Sequence, residues 1–113
     1  MIFAFQKEMI GGKTHGSLQI GKLVVTKGIL DEFDETYDFK GFCMNCLLRH
    51  RACDWGDMDE EDKEMNDRAL KTGDRILSAY DIPKFFCFGF ADKIWIITEA
   101  DRSATTILFP YEY

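Results

Sequence analysis

The sequence predicts a single α+β domain over residues 1–113, an antiparallel β-sheet with helices packed on one face. Three observations lead there. In the middle of the chain, Phe39, Phe42, Cys43, Cys46, Leu47 and His50 recur at helical spacing, the mark of one buried face. Toward the end, short β-branched and aromatic runs follow one another across short turns, as in an antiparallel meander. A length of 113 residues is that of one domain with its own core. Helices in the middle and strands at the end make the α+β pattern.

In chain order, Ile2-Phe3-Ala4-Phe5 is a short strand-like run, and residues 11–17 form a loop by composition. Gly11-Gly12-Lys13-Thr14 within that loop lacks the glycine spacing and the following helix of a phosphate-binding loop, so it reads as a plain loop. Leu23-Val24-Val25-Thr26 is a β-branched strand, after which Thr26 caps a short helix from Gly28 to Phe33 that Asp34-Glu35-Thr36 breaks. Asp38 is the expected cap of a helix over 39–50.

Asp54-Trp55-Gly56 is a tight turn. Asp57 then caps a third helix, 58–71, with Glu60 three residues on, as in a capping box. Acids fill its first turns, Arg68 and Lys71 its last, and Gly73 ends it, so charge complements the helix dipole at both ends. Its apolar side is thin, Met58, Met65, Ala69 and Leu70, which places it at the surface. Strands are expected at 75–80, 93–98 and 104–109, with Phe85-Phe86-Cys87-Phe88 a further strand-like run or an enlarged loop.

Apolar residues at 46% and charged residues at 30% exclude a disordered chain. No apolar run approaches the ~20 residues of a membrane span, and the start of the chain lacks the basic and apolar regions of a signal peptide. The expected location is cytoplasmic, with Cys43, Cys46, Cys53 and Cys87 as free thiols. A net charge of −6 argues against direct nucleic-acid binding and for a partner with a basic surface.

Residues from about 20 to 113 resemble a family of small bacterial proteins carried on plasmids, phages and integrated elements. The resemblance rests on Leu47-Leu48-Arg49-His50, Asp54-Trp55-Gly56-Asp57, Glu61-Asp62, Asn66 and Leu77-Ser78-Ala79-Tyr80. It continues through the run from Lys93 to Leu108 and the closing Pro110-Tyr111-Glu112-Tyr113. Members are described as plasmid-related proteins, often labelled a subunit of type I restriction systems. Cys53 stands where those proteins usually carry Gly, and the Phe85–Phe90 segment is enlarged.

Several groups of residues are chemically capable. Cys43, Cys46, His50 and Cys53 have zinc-ligand types at rough zinc spacing, but the same face is the helix's apolar stripe, so the expectation is core packing and no metal or other cofactor. His50, Glu99, Asp101 and Arg102 are a candidate polar site, and the bland alternatives are a helix-terminal histidine and a hairpin turn. Trp55 is either a lid on the core or a contact residue.

The charge is concentrated. Residues 54–67 hold eight acids and one base, Lys63, enough to account for the whole net charge. The functional expectation is a non-enzymatic mobile-element protein that inhibits a nucleic-acid-handling host defence protein, of anti-CRISPR or anti-restriction type. It would engage a basic groove through Asp54, Trp55, Asp57, Asp59, Glu60, Glu61 and Glu64. Two alternatives stand beside it. One is a small-ligand-binding or sequestering protein with Arg49, Arg51, Trp55 and Arg102 as contacts. The other is a small hydrolase using His50 with Glu99, Asp101 and Arg102.

Overall fold

The computed structural model describes the backbone of residues 2–5 and the whole of residues 17–113. Five strands, β1 (Ile2–Phe5), β2 (Lys22–Thr26), β3 (Ile76–Asp81), β4 (Lys93–Thr98) and β5 (Ala104–Leu108), form one sheet in the order β1-β2-β5-β4-β3. Three helices, α1 (Lys27–Glu35), α2 (Phe39–Arg51) and α3 (Glu60–Thr72), lie between β2 and β3 in sequence. This is the α+β domain that the blocks of helix and strand pattern predict. The loop expected at 11–17 falls, apart from Ser17, outside the described residues.

The meander is antiparallel from β3 through β4 to β5, and β1 pairs antiparallel with β2. One junction is parallel: β2 lies beside β5, with Leu23 opposite Thr105 and Val25 opposite Ile107. The helical excursion and the meander separate these two strands in sequence, so their shared direction needs no tight turn.

One face of the sheet carries Leu23, Val25, Ile76, Tyr80, Ile94, Ile96 and Ile107, all buried. Ile29 of α1 and Phe39, Cys43, Cys46 and Leu47 of α2 join them in a single core. Phe42, expected on the buried face of α2, is half-buried. Leu77, Trp95 and Val24 point to the opposite face and are half-exposed.

The phenylalanine run after Pro83 is not a strand. Lys84–Phe86 form a single 3-10 turn, and Cys87 takes a left-handed conformation at φ 59°. Phe86 and Phe88 both pack on Phe39, with ring centroids 5.4 and 5.0 Å away at steep angles.

Two expected side-chain caps are not made. Asp38 occupies the position before α2 in a left-handed conformation, and its side chain makes no capping bond. Thr26 precedes α1, but its hydroxyl donates to Glu112 Oε1 at 2.6 Å. The Glu112 carboxylate also accepts from the Gly28 amide at 2.9 Å and the Phe109 amide at 3.0 Å. A carboxylate from the chain's last residues thus satisfies an orphan donor at the start of α1.

Candidate functional site

The junction between α2 and α3 is a turn held at each residue. Arg49 donates to both oxygens of Asp54, at 2.8 and 3.3 Å, and Asp54 also accepts from the Gly56 amide. The arginine holds the Asp54 carboxyl below the usual carboxylate range, with the Gly56 amide adding to it. The Arg49 guanidinium lies over the Tyr80 ring at 5.0 Å, and the Tyr80 hydroxyl donates to the Asp54 carbonyl at 2.7 Å.

Cys53 and Gly56 both take left-handed backbones, at φ 65° and 81°. A side chain at Gly56 would sit 2.1 Å from the Ala79 carbonyl, so glycine is obligatory there. At Cys53 the same conformation is one that glycine adopts without strain.

Trp55 is the lid reading, not the contact reading. It is 3% exposed, packs edge-on to His50 with centroids 5.7 Å apart, and donates from its indole N–H to Asp67 Oδ1 at 2.9 Å. A partner cannot reach it without opening the fold.

His50 is fully buried, and both ring nitrogens are engaged: Nδ1 with Ser78 Oγ at 2.6 Å and Nε2 with Thr98 Oγ1 at 2.8 Å. The direction of each bond follows from the far end of the chain of contacts. Thr105 Oγ1 donates to the Ile20 carbonyl at 2.7 Å, since a carbonyl only accepts. Thr105 must then accept from Thr98, 2.7 Å away, which has no second proton for His50. Nε2 therefore carries the imidazole proton and donates, while Nδ1 is bare and accepts from Ser78. Burial, seconded by the charge of Arg102, lowers the His50 pKa to about 3. A neutral, fully satisfied imidazole without solvent access is a structural element; in this fold it is not a general base.

Of the remaining members of the expected polar site, Arg102 reaches His50 only through its charge. Glu99 and Asp101 are exposed on the turn between β4 and β5, where Asp101 accepts from the Ser103 amide. Arg102, left-handed at φ 62°, forms no ion pair with either carboxylate among the described residues. Its guanidinium donates to the carbonyls of Asp74 at 2.7 Å, Ala69 at 3.1 Å and Glu99 at 3.2 Å. It is a clasp on the C-terminal end of α3, where helix carbonyls lack internal partners. Cys43 and Cys46 lie in the core, and burial pushes both thiols up, Cys46 to about 12. Among the described residues no three His, Cys, Asp or Glu side chains are grouped so as to hold a metal ion.

The cap of α3 is Asp59, not Asp57. Asp59 Oδ1 accepts from the Asp62 amide at 2.8 Å. Asp57 is drawn off by the sheet: its amide donates to the Ala79 carbonyl at 2.7 Å and its carboxylate accepts from the Asp81 amide at 2.9 Å. The apolar side of α3 is also shifted. Asn66 and Ala69 are its buried residues, while Met65 and Leu70 are exposed.

Asn66 explains the shift. Its amide nitrogen donates to the Leu77 carbonyl at 2.8 Å, and its oxygen accepts from the Leu77 N–H at 3.4 Å. One residue pair further along β3, the Ala79 N–H donates to the Trp55 carbonyl. Asn66, Trp55 and Asp57 together cover the outer edge of β3, whose backbone groups at 77, 79 and 81 would otherwise stand open. Asn66 was legible as a polar residue in the middle of a helix, a position such residues hold at some cost and usually for a reason.

With its inner side pinned in this way, α3 turns Glu60, Glu61, Asp62 and Glu64 to solvent. Glu60 lies 3.6 Å from Lys63. Of the seven expected contact residues, Trp55 is buried, while Asp54, Asp57 and Asp59 are exposed and also bonded within the fold, to Arg49, the Asp81 amide and the Asp62 amide. Glu60, Glu61 and Glu64 face outward as expected. Beside this ridge a groove of about 470 Å3 runs between α3 and β3, with Met58, Met65 and Leu77 among its lining residues.

Compared with known proteins, the chain matches no family model, no curated protein and no solved structure. Among the described residues, no helix is long and apolar enough to cross a membrane.

Proposed function

We propose that the chain is a non-enzymatic accessory protein of a mobile element, which binds and inhibits a nucleic-acid-handling host defence protein by seating α3 in its basic groove. The observation that carries the reading is the solvent-facing acidic ridge of α3 on a helix pinned at three places. Asn66 ties its middle to β3, Asp67 holds the Trp55 indole, and Arg102 clasps its last turn. Charges held at fixed spacing on a rigid element are what a phosphate-mimicking surface needs, since the ordering cost is met in folding and not at binding. The resemblance to plasmid- and phage-borne proteins supplies the biological setting.

The experiment neutralises the ridge without touching the cap. In a variant carrying Glu60→Gln, Glu61→Gln, Asp62→Asn and Glu64→Gln, the fold is retained because these side chains face solvent and Asp59 still caps the helix. The wild-type chain, immobilised and exposed to host lysate, should retain a nucleic-acid-binding protein that added DNA or guide RNA displaces. Retention should weaken steeply with salt and vanish in the variant. Equal capture by the variant removes the reading.

A further inference from the structure

Where the C-terminal end of α2 meets the segment entering β2, an open cavity of about 530 Å3 is lined by residues 17–21, Arg51 and Arg102. Among the described residues that line it, the side-chain charges are the two guanidinium groups. Arg51 is half-buried, and among the described residues its guanidinium forms no hydrogen bond or ion pair. Arg102 spends three of its five donors on backbone carbonyls, and no described carboxylate pairs with it. Its charge is felt locally, since it adds to burial in keeping His50 neutral. Two uncompensated arginines facing one cavity stand against the field of a chain with net charge −6.

The wall is built before any ligand arrives. The Leu18 amide donates to the Arg51 carbonyl at 2.8 Å, and the Lys22 amide to the Ser103 carbonyl at 3.0 Å. The Ile20 carbonyl receives the end of the His50 hydrogen-bond chain. Gly21, left-handed at φ 60°, packs so tightly on the turn that an added side-chain carbon would lie 2.4 Å from the Arg102 carbonyl. These contacts hold the segment 17–22 between the end of α2 and the β4–β5 turn.

We infer that this cavity binds a small molecule bearing a phosphomonoester, with Arg51 and Arg102 on the phosphate. A phosphomonoester carries close to two negative charges near neutral pH and three terminal oxygens, matching two guanidinium groups where a carboxylate would leave one unpaired. The volume lies within the range of small-ligand sites and leaves room for the esterified group beside Ser17 and Gln19. The acidic ridge takes no part, so this inference and the proposed function stand or fall separately.

The test is an amide chemical-shift titration of the full chain with inorganic phosphate and with a nucleoside 5′-monophosphate, against sodium chloride at matched ionic strength. Saturable shifts should be confined to residues 17–22, 51–52 and 102–103 and be absent with chloride. Arg51→Gln should weaken binding about tenfold or more, and Arg51→Lys, which keeps the charge but loses the fork, by less. Arg75→Gln, outside the cavity, should bind as the wild type. The absence of saturable shifts at roughly 20 mM of either probe overturns the inference, since that is weaker than any specific site of this kind. Shifts that survive Arg51→Gln overturn it too, as does binding of a 5′-phosphorylated oligonucleotide without binding of the monophosphate.

Discussion

His50 Nε2 donates to Thr98 Oγ1 across 2.8 Å, and that bond joins the last turn of α2 to the end of β4. Its direction, like that of the other bonds running from Ser78 to Thr105, is set by the Ile20 carbonyl, which can only accept. The expected tautomer is Nε2–H. Long-range proton–nitrogen correlation spectra of the imidazole should show a protonated Nε2 and a bare Nδ1 throughout pH 5–8, with no titration near the ordinary histidine value. Thr98→Val, which strands the Nε2 proton, should cost about 1–3 kcal/mol in chemical denaturation.

The same histidine makes stability depend on pH. The unfolded chain takes up the His50 proton below about 6.5, whereas the folded chain resists it down to about 3. Between those values the unfolded state holds more protons, so stability is full above the upper value and is lost as pH falls toward the lower one. The slope approaches ~1.4 kcal/mol per pH unit. Asp54, held below its ordinary value by Arg49, acts in the same direction as the medium becomes more acid. Denaturation series from pH 7.5 to 4.5 should show this decline, and His50→Gln, less stable at neutral pH, should show a flatter one.

Asn66→Ala leaves the Leu77 N–H and carbonyl without partners and uncovers part of the edge of β3. A loss of roughly 2–3 kcal/mol is expected, with increased self-association on warming because an open strand edge invites pairing. Denaturation midpoints and light scattering report the two effects. Asn66→Asp, which lacks the donor, should recover little.

Glu112→Ala removes the acceptor shared by Thr26, Gly28 and Phe109. The expected cost is about 2 kcal/mol, with faster amide exchange in the first turn of α1. Glu112→Gln keeps an acceptor without the charge and should fall between the variant and the wild type.

Substitutions at Cys53 should rank by backbone tolerance. Cys53→Gly relieves a left-handed side chain but gives up a half-buried thiol packed on the core, so the net change should stay within about 1 kcal/mol. Cys53→Val, β-branched in the same conformation, should lose roughly 2 kcal/mol or more. Thermal denaturation of the pair decides the order.

The sequence by itself determined the elements whose cause is local. The stripe from Phe39 to His50 marks α2 because one face must be buried, and the runs at 75–80, 93–98 and 104–109 read as strands because β-branched residues fit a pleated surface; the strands form at Ile76–Asp81, Lys93–Thr98 and Ala104–Leu108. Gly73 ends α3 through its own left-handed backbone, at φ 81°. What only the tertiary structure decided is where polar groups find partners distant in sequence. Glu112 satisfies α1 from 84 residues away, Thr98 meets His50 across 48, and Asp57 is taken from α3 by the edge of β3. The Phe86 and Phe88 rings meet Phe39 from a 3-10 turn and a left-handed Cys87, and Phe39 lies more than 40 residues earlier in the chain. Local spacing fixes which backbone conformation is cheap. Which donor meets which acceptor depends on how the layers stack, and no window of sequence contains both partners.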